Sequence, residues 1–301
     1  MIRVWRITRK DIVPLKLADL STLDAVTRQL PEGYYSTFRT YDGRRRVLGL
    51  TEHFRRLFEP VSAPEVDALP LRRRLRALLQ TSGPGEARVR AVMTEEGQAY
   101  LAIEPLRMLP REIYEQGVRA ETIELQRAHP QLKSTAFISA SDAEREHIAR
   151  EGIFEALLVQ DGMILEGMTS NFFYVPRADR SAAKSKQAPG EKILCTAAND
   201  ILPGVTRQTV IEIARGRGVE VRDAPLKRDQ LEVAREAFIT SSSRGVVPGV
   251  QIDQVAVGEG KPGPITQELI PAYDEYVLQH SEEIYMPSTC TVRLLIHLRE
   301  K

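Results

Sequence analysis

Glu155–Val175 reads EALLVQDGMILEGMTSNFFYV, and its pattern decides the fold. Two alternating apolar runs meet at the turn signal Asp161-Gly162, and Asn171-Phe172-Phe173-Tyr174-Val175 makes a third apolar run. Alternation with β-branched and aromatic residues between turn signals predicts strands rather than a helix. One residue is out of character. Glu166 falls at the end of the second strand, beside Gly167 and just before the small, hydroxyl-rich step Met168-Thr169-Ser170-Asn171. A carboxylate in such a place needs a partner, because an unpaired buried charge is costly.

Around this stretch the chain alternates strands and helices. Upstream, Met1–Thr8 and Tyr34–Tyr41 read as strands, and Asp42-Gly43 leads to Arg46-Val47-Leu48 as a hairpin. Thr51 reads as the cap of a helix ending at Pro60. Leu69–Leu79 is an amphipathic helix whose arginines form a solvated face. Ala87–Met93 and Gln98–Pro105 form a hairpin, and Val118–Ile123 alternates as a strand. Ser141-Asp142 caps a helix to Glu151. Downstream, Asp179–Lys192 is a polar loop, and Leu202-Pro203-Gly204 opens a helix to Arg215 whose first residues are Val205 and Thr206. Val219–Ala224 and Glu236–Ser241 are strands, Lys227–Ala234 a short helix, and 264–280 a longer one.

Composition narrows the function classes. The 301 residues carry 42 basic and 41 acidic side chains, so neither nucleic acid nor an anionic membrane is indicated as a partner. No apolar run approaches the ~18 residues of a membrane span. The start, MIRVWRITRK, lacks the apolar core of a signal peptide. Cys195 and Cys290 are far apart and without metal-like spacing, which suggests free thiols in a reducing compartment and no metal site. A cytoplasmic protein is expected.

Four features need a joint explanation. Lys133 follows Pro130 among small and apolar residues; a lysine held in an apolar pocket has a lowered pKa and can form an imine. Glu166 can pair with an arginine, or with a ring nitrogen that it keeps protonated. The start at Gly204-Val205-Thr206 offers backbone N–H groups and a hydroxyl at a positive helix end, which suits phosphate. The triple serine Ser241-Ser242-Ser243 after a strand can bind phosphate oxygens or a carboxylate. Taken singly, each has a plainer explanation: a surface lysine, a salt bridge, an ordinary helix start, a β-turn. Their order and spacing lift the combination. Glu166 follows Lys133 by 33 positions (166 − 133), and Val205 follows Glu166 by 39 (205 − 166). An imine-forming lysine, an acid for a pyridinium and two phosphate grips are what pyridoxal 5'-phosphate requires.

With these residues in view, the chain resembles the class IV aminotransferases, the fold type IV pyridoxal-phosphate enzymes. That family includes branched-chain and D-amino acid aminotransferases and 4-amino-4-deoxychorismate lyases. The matching segments are Tyr34–Gly43, Glu52–Leu57, Leu132–Thr135, Glu166–Phe172, Ile201–Arg207 and Thr240–Pro248. The resemblance implies an α/β (α+β) fold of two domains with the cofactor in the cleft between them. It places a smaller N-terminal domain at 1–120, a linker at 121–131, a larger cofactor-binding domain at 132–286 and a tail at 287–301. It also implies a homodimer. Lys133 matches the Schiff-base lysine and Glu166 the acid at the pyridine nitrogen. Arg56, Val205, Thr206, Ser241 and Ser242 match the phosphate end, and Leu202 the residue packed on the ring.

Departures from the family pattern concern the substrate. Tyr35-Ser36 stands where a Phe/Tyr-Glu pair is common, and Ala136 where an Asn often follows the lysine. Tyr35, Ser243 and the arginines Arg39, Arg90 and Arg244 are the candidate substrate residues, because bidentate Arg is the natural partner of a carboxylate. Arg244 is the first choice, since it adjoins the serine turn. The expected function is transfer of an amino group from an amino acid to a 2-oxo acid by a ping-pong mechanism, with a 4-amino-4-deoxychorismate lyase as the alternative enzyme and a non-catalytic binding protein as the alternative outside enzymes. Lys133→Ala should abolish both the visible absorbance of the bound cofactor and turnover. Retention of both would remove Lys133 from its assigned role.

Overall fold

The computed structural model describes residues 1–177 and 192–284. The polar stretch Asp179–Lys192 except its last residue, and the tail 287–301 with Cys290, lie outside the described residues. The chain divides into two compact units, one comprising Met1–Leu106 with the described residues from His280 onward, the other Arg107–Gln279.

The first unit is built on a five-stranded antiparallel sheet. Its elements in chain order are β1 (Arg3–Ile7), β2 (Ile12–Leu15), α1 (Leu23–Arg28), β3 (Gly33–Arg39), β4 (Arg46–Val47), α2 (Leu50–Phe58), α3 (Ala68–Gln80), β5 (Ala87–Thr94) and β6 (Ala99–Pro105). The sheet order is β2-β1-β6-β5-β3. Alternation along the strands sends Trp5, Phe38, Val89, Ala91 and Leu101 to one face, where they pack with Leu50, Phe54, Leu57, Leu71 and Leu75 of α2 and α3. The opposite face carries Val4 and Ala102 under Leu23 and Val26 of α1.

Three readings of this unit are corrected. The hairpin from Tyr34–Tyr41 to Arg46–Leu48 does not form: β3 pairs with β5, and only Tyr41 and Arg46 bridge across the turn. Asp42, Gly43 and Arg44 all take left-handed backbone angles. The Glu86 carboxylate accepts from the Gly43 and Arg44 amides, which curls the chain away from its own strand. The second concerns the start of α2, where the cap position is Gly49, at φ 61°, not Thr51. The Thr51 amide and hydroxyl instead donate to the Glu282 carboxylate. The short strand Glu282–Glu283 pairs with β4, and Arg72 of α3 donates to the Glu283 and Ile284 carbonyls. Arg72 is therefore a buried anchor, where a solvated face was expected.

The second unit continues with α4 (Arg111–Gln116), β7 (Val118–Glu124), α5 (Ala136–Ala140), α6 (Asp142–Arg150), β8 (Glu155–Gln160), β9 (Met163–Gly167) and β10 (Asn171–Pro176). Then come β11 (Ile193–Thr196), α7 (Val205–Gly216), β12 (Glu220–Asp223), β13 (Leu226–Lys227), a 3-10 turn at Arg228–Val233, β14 (Ala234–Ser241), β15 (Gly245–Ile252), β16 (Val255–Ala256) and α8 (Pro264–His280). Of the stretch 227–234, expected as a helix, Arg228–Val233 is that 3-10 turn, while Lys227 and Ala234 belong to β13 and β14. Ser141 does not cap α6 with its side chain; its hydroxyl donates back to the Phe137 carbonyl at 2.7 Å.

The strand path is β12-β11-β10-β14-β15-β7-β8-β9-β13, and a further pairing joins β9 to β10. Strands β10, β14, β15, β7, β8 and β9 thus form a closed ring, sealed at the pair Asn171↔Glu166. The hairpin read at Asp161-Gly162 is present, with both turn residues at positive φ. All six ring strands feed one apolar cluster, including Val118, Leu157, Ile164, Phe172, Ile239 and Val247. On the other face Phe173 and Phe238 stack, with centroids 4.9 Å apart. Among the described residues no helix is long and apolar enough to cross a membrane. Phe238 is fully buried, so Phe238→Ala should cost about 3–5 kcal/mol of unfolding free energy, measurable by denaturant titration.

Candidate active site

Glu166 is the penultimate residue of β9, with 2% of its surface exposed. Its Oε1 accepts from Arg127 Nε at 2.7 Å. Its Oε2 accepts from the Leu202 amide at 3.1 Å and from Asn171 Nδ2 at 3.3 Å. Burial pushes the carboxyl above the usual carboxylate range, opposed by the Arg127 guanidinium, the Leu202 amide and the charge of Lys133. Lys133, in the turn before α5, is therefore close enough for Glu166 to feel its charge.

Arg127 is the residue that sequence reasoning missed. It falls in the stretch 121–131 expected as a linker, yet its guanidinium is buried. Nη2 donates to the Met168 carbonyl at 2.8 Å, and the group lies 3.8 Å from the Phe137 ring centroid. The available signal was Glu166 itself: a buried carboxylate demands a cation, and Arg127 lies in the segment just before the lysine.

Leu202 is fixed at both backbone ends. Its N–H goes to Glu166, and its carbonyl accepts from Asn171 Nδ2 at 2.8 Å. Gly204 is the cap of α7, and a Cβ there would collide with Asn171 Oδ1. The loop consequently lies against the strand end, and α7 begins at Val205 with its first N–H groups open. The Thr206 hydroxyl is buried without a hydrogen-bond partner among the described residues.

The serine turn is organised from below by a second buried carboxylate. Glu155, at the start of β8, accepts from Thr169 Oγ1 at 2.6 Å, Ser170 Oγ at 2.9 Å and Arg244 Nη2 at 3.0 Å. Arg244 also donates to Ser241 Oγ at 3.0 Å and to Thr169 Oγ1 at 2.6 Å. Its guanidinium is thereby engaged within the protein, and the substrate role expected of it finds no support in these contacts. Ser242 and Ser243 occupy the turn between β14 and β15.

The first unit holds the remaining sequence-selected residues. Arg56 of α2 donates from Nη2 to Ser36 Oγ at 2.9 Å, and its Nε is buried without a hydrogen-bond partner among the described residues. No ion pair with a carboxylate is formed by Arg56 among the described residues, and burial pushes its pKa down to about 10. Arg90 pairs with Asp24 at 2.6 Å and lies over Tyr35 at 4.6 Å. Arg39 lies over Tyr41 at 4.6 Å, and its Nε is buried without a hydrogen-bond partner among the described residues.

The model of the amino-transferase class IV family matches residues 33–252. A putative branched-chain-amino-acid aminotransferase of Methanocaldococcus jannaschii is 28% identical over 260 residues, covering 79% of this chain and 84% of the relative. A D-alanine aminotransferase of Bacillus licheniformis is 24% identical over 279 residues, 84% of this chain and 90% of the relative. In fold, the chain is similar to a hypothetical aminotransferase from Mycobacterium tuberculosis solved in its PLP-bound form. The TM-score is 0.68, at 21% identity, over 92% of this chain and 99% of that one.

The state of Glu166 sets a pH dependence in the ligand-free chain. Its folded pKa lies above the 4.5 of a free glutamate. Its contribution to stability is present below that value and is lost as pH rises through the folded pKa, since the folded chain then holds a proton that the unfolded chain has released. Glu166→Gln removes this slope. The unfolding free energy of the variant relative to wild type should therefore rise with pH from about 4.5 upward, as read by denaturant titration at successive pH values.

Proposed function

The chain belongs to the amino-transferase class IV family of pyridoxal-phosphate-dependent enzymes, and we propose that it transfers an amino group from a small amino acid to a 2-oxo acid. In this reading pyridoxal 5'-phosphate is held by Lys133, Glu166 and Leu202 at the ring, and by Arg56, Val205, Thr206, Ser241 and Ser242 at the phosphate. The observation that carries it is the lock between Glu166 and the Leu202 amide, 3.1 Å long. It ties a buried acid to the loop that opens α7, and so sets an acid for a ring nitrogen at a fixed offset from an open helix N-terminus. The residues fit the group: the Thr206 hydroxyl is a buried donor without an acceptor among the described residues, and phosphate oxygens are the acceptors such a donor suits.

When bound, the cofactor supplies an electron sink for the pair released from the substrate Cα–H bond. Lys133 takes the Cα proton and returns it, as base and then acid. Glu166 would accept a hydrogen bond from the ring nitrogen, and Arg127 and the Leu202 amide keep that carboxylate from turning away. The buried Leu202 side chain offers an apolar surface to a ring face and excludes water from it. The substrate carboxylate is assigned in this reading to one of Arg39, Arg90 and Arg244; Arg39 Nε has no hydrogen-bond partner among the described residues, whereas Arg90 and Arg244 are engaged with Asp24 and Glu155. Tyr35 and Ser243 complete the substrate set in this reading, and the assembly is a homodimer.

A screen of amino donors, both enantiomers of each, tests the proposal. One class of amino acid alone should convert the enzyme's visible spectrum stoichiometrically, and a 2-oxo acid should restore it, as ping-pong transfer requires. Release of pyruvate from 4-amino-4-deoxychorismate without such conversion would replace the transaminase by the lyase.

A further inference from the structure

The ring of strands presents a row of side chains that extends past Glu166. Residues directly opposite on neighbouring strands share a face of the sheet. Leu158 pairs with Glu166, Glu166 with Asn171, Asn171 with Thr240 and Thr240 with Val246. Asn171 turns its amide to Leu202 and Glu166, so this face lies under the loop that opens α7. Thr240 is the next residue along the row. It is 1% exposed, and its hydroxyl has no hydrogen-bond partner among the described residues.

Two residues back along β14, Phe238 on the same face stacks against Phe173. At Thr240 the apolar column gives way to a buried hydroxyl, where a valine of the same shape would leave no unsatisfied donor. The Thr206 hydroxyl, in the first turn of α7, is buried and equally without a partner among the described residues. Thus one buried hydroxyl stands on the face that lies under the loop opening α7, and a second belongs to the first turn of that helix. Glu166 stands two strand intervals from Thr240, roughly 9.6 Å, which suits a pyridine ring followed by its phosphomethyl arm.

We propose that Thr240 is a phosphate ligand, its hydroxyl donating with that of Thr206 to the cofactor phosphate, at the far end of the row from the ring acid Glu166. This rests on the pyridoxal-phosphate reading above.

The test compares apoprotein binding of pyridoxal 5'-phosphate with binding of unphosphorylated pyridoxal, and adds the rise in melting temperature caused by inorganic phosphate. Thr240→Val should weaken the phosphorylated ligand about tenfold, leave pyridoxal unchanged, and abolish the stabilisation by phosphate. Thr240→Ser keeps the hydroxyl and should stay within about twofold of wild type on every readout. Circular dichroism checks each fold, and Thr240→Ala replaces the valine variant if the latter does not fold. Unaltered affinity in the hydroxyl-free variant would overturn the proposal, as would equal loss of both ligands, which would make Thr240 a packing residue. A wild-type chain that takes up no pyridoxal 5'-phosphate would overturn the proposed function and this inference together. Normal uptake by both wild type and the valine variant would overturn this inference alone.

Discussion

Burying the Glu166 carboxylate is the constraint from which the second unit takes its form. Removing such a charge from water is costly unless a cation and further donors meet it. Here the donors come from three places in the chain: Arg127 from the segment before the lysine, the Leu202 amide from the loop before α7, and Asn171 from the adjoining strand. Satisfying one side chain therefore positions Lys133's segment, the helix start and the seam that closes the strand ring. Removing either Glu166 or Arg127 alone would leave the other charge unpaired among apolar neighbours such as Phe137 and Met168.

The same economy operates one layer below. Glu155 collects hydroxyls from Thr169 and Ser170 and the guanidinium of Arg244. It thereby joins the turn after Glu166 to the serine turn. Gly167 is required there, because a Cβ would collide with Ser170 Oγ and press on the Glu155 side chain. The glycine and hydroxyl residues beside Glu166 are thus occupied with each other and with Glu155, and they set the shape of the site from behind.

What could be read from the sequence was local. The hairpin at Asp161-Gly162, the third strand, the Pro-Gly helix start and the serine turn each carry their own short-range signals, and each is in place. What escaped depends on distant partners. Arg127 meets Glu166 across 39 positions, and nothing in QRAHPQ marks it. Asp42-Gly43 has the form of a hairpin turn, but Glu86 and three left-handed residues redirect it. Thr51 has the form of a cap, but the capping carboxylate is Glu282, 231 residues away. Arg244 reads as free to meet a substrate because Glu155, 89 positions earlier, gives no sign of being its partner. Thr240 sits inside a recognised motif, and only the strand register shows which face its hydroxyl takes.

The return of residues 280–284 to the first unit has a consequence for biogenesis. Ile284 is buried in the core formed by α2 and α3, Arg72 holds its carbonyl, and Glu282 closes the N-terminus of α2. During vectorial synthesis the ordinary sequence is N-terminal unit first. Here the first unit lacks part of its own core until residue 284 has been released, whereas Arg107–Gln279 is by then complete. The core of the first unit is accordingly completed only by residues made after the whole of the second unit.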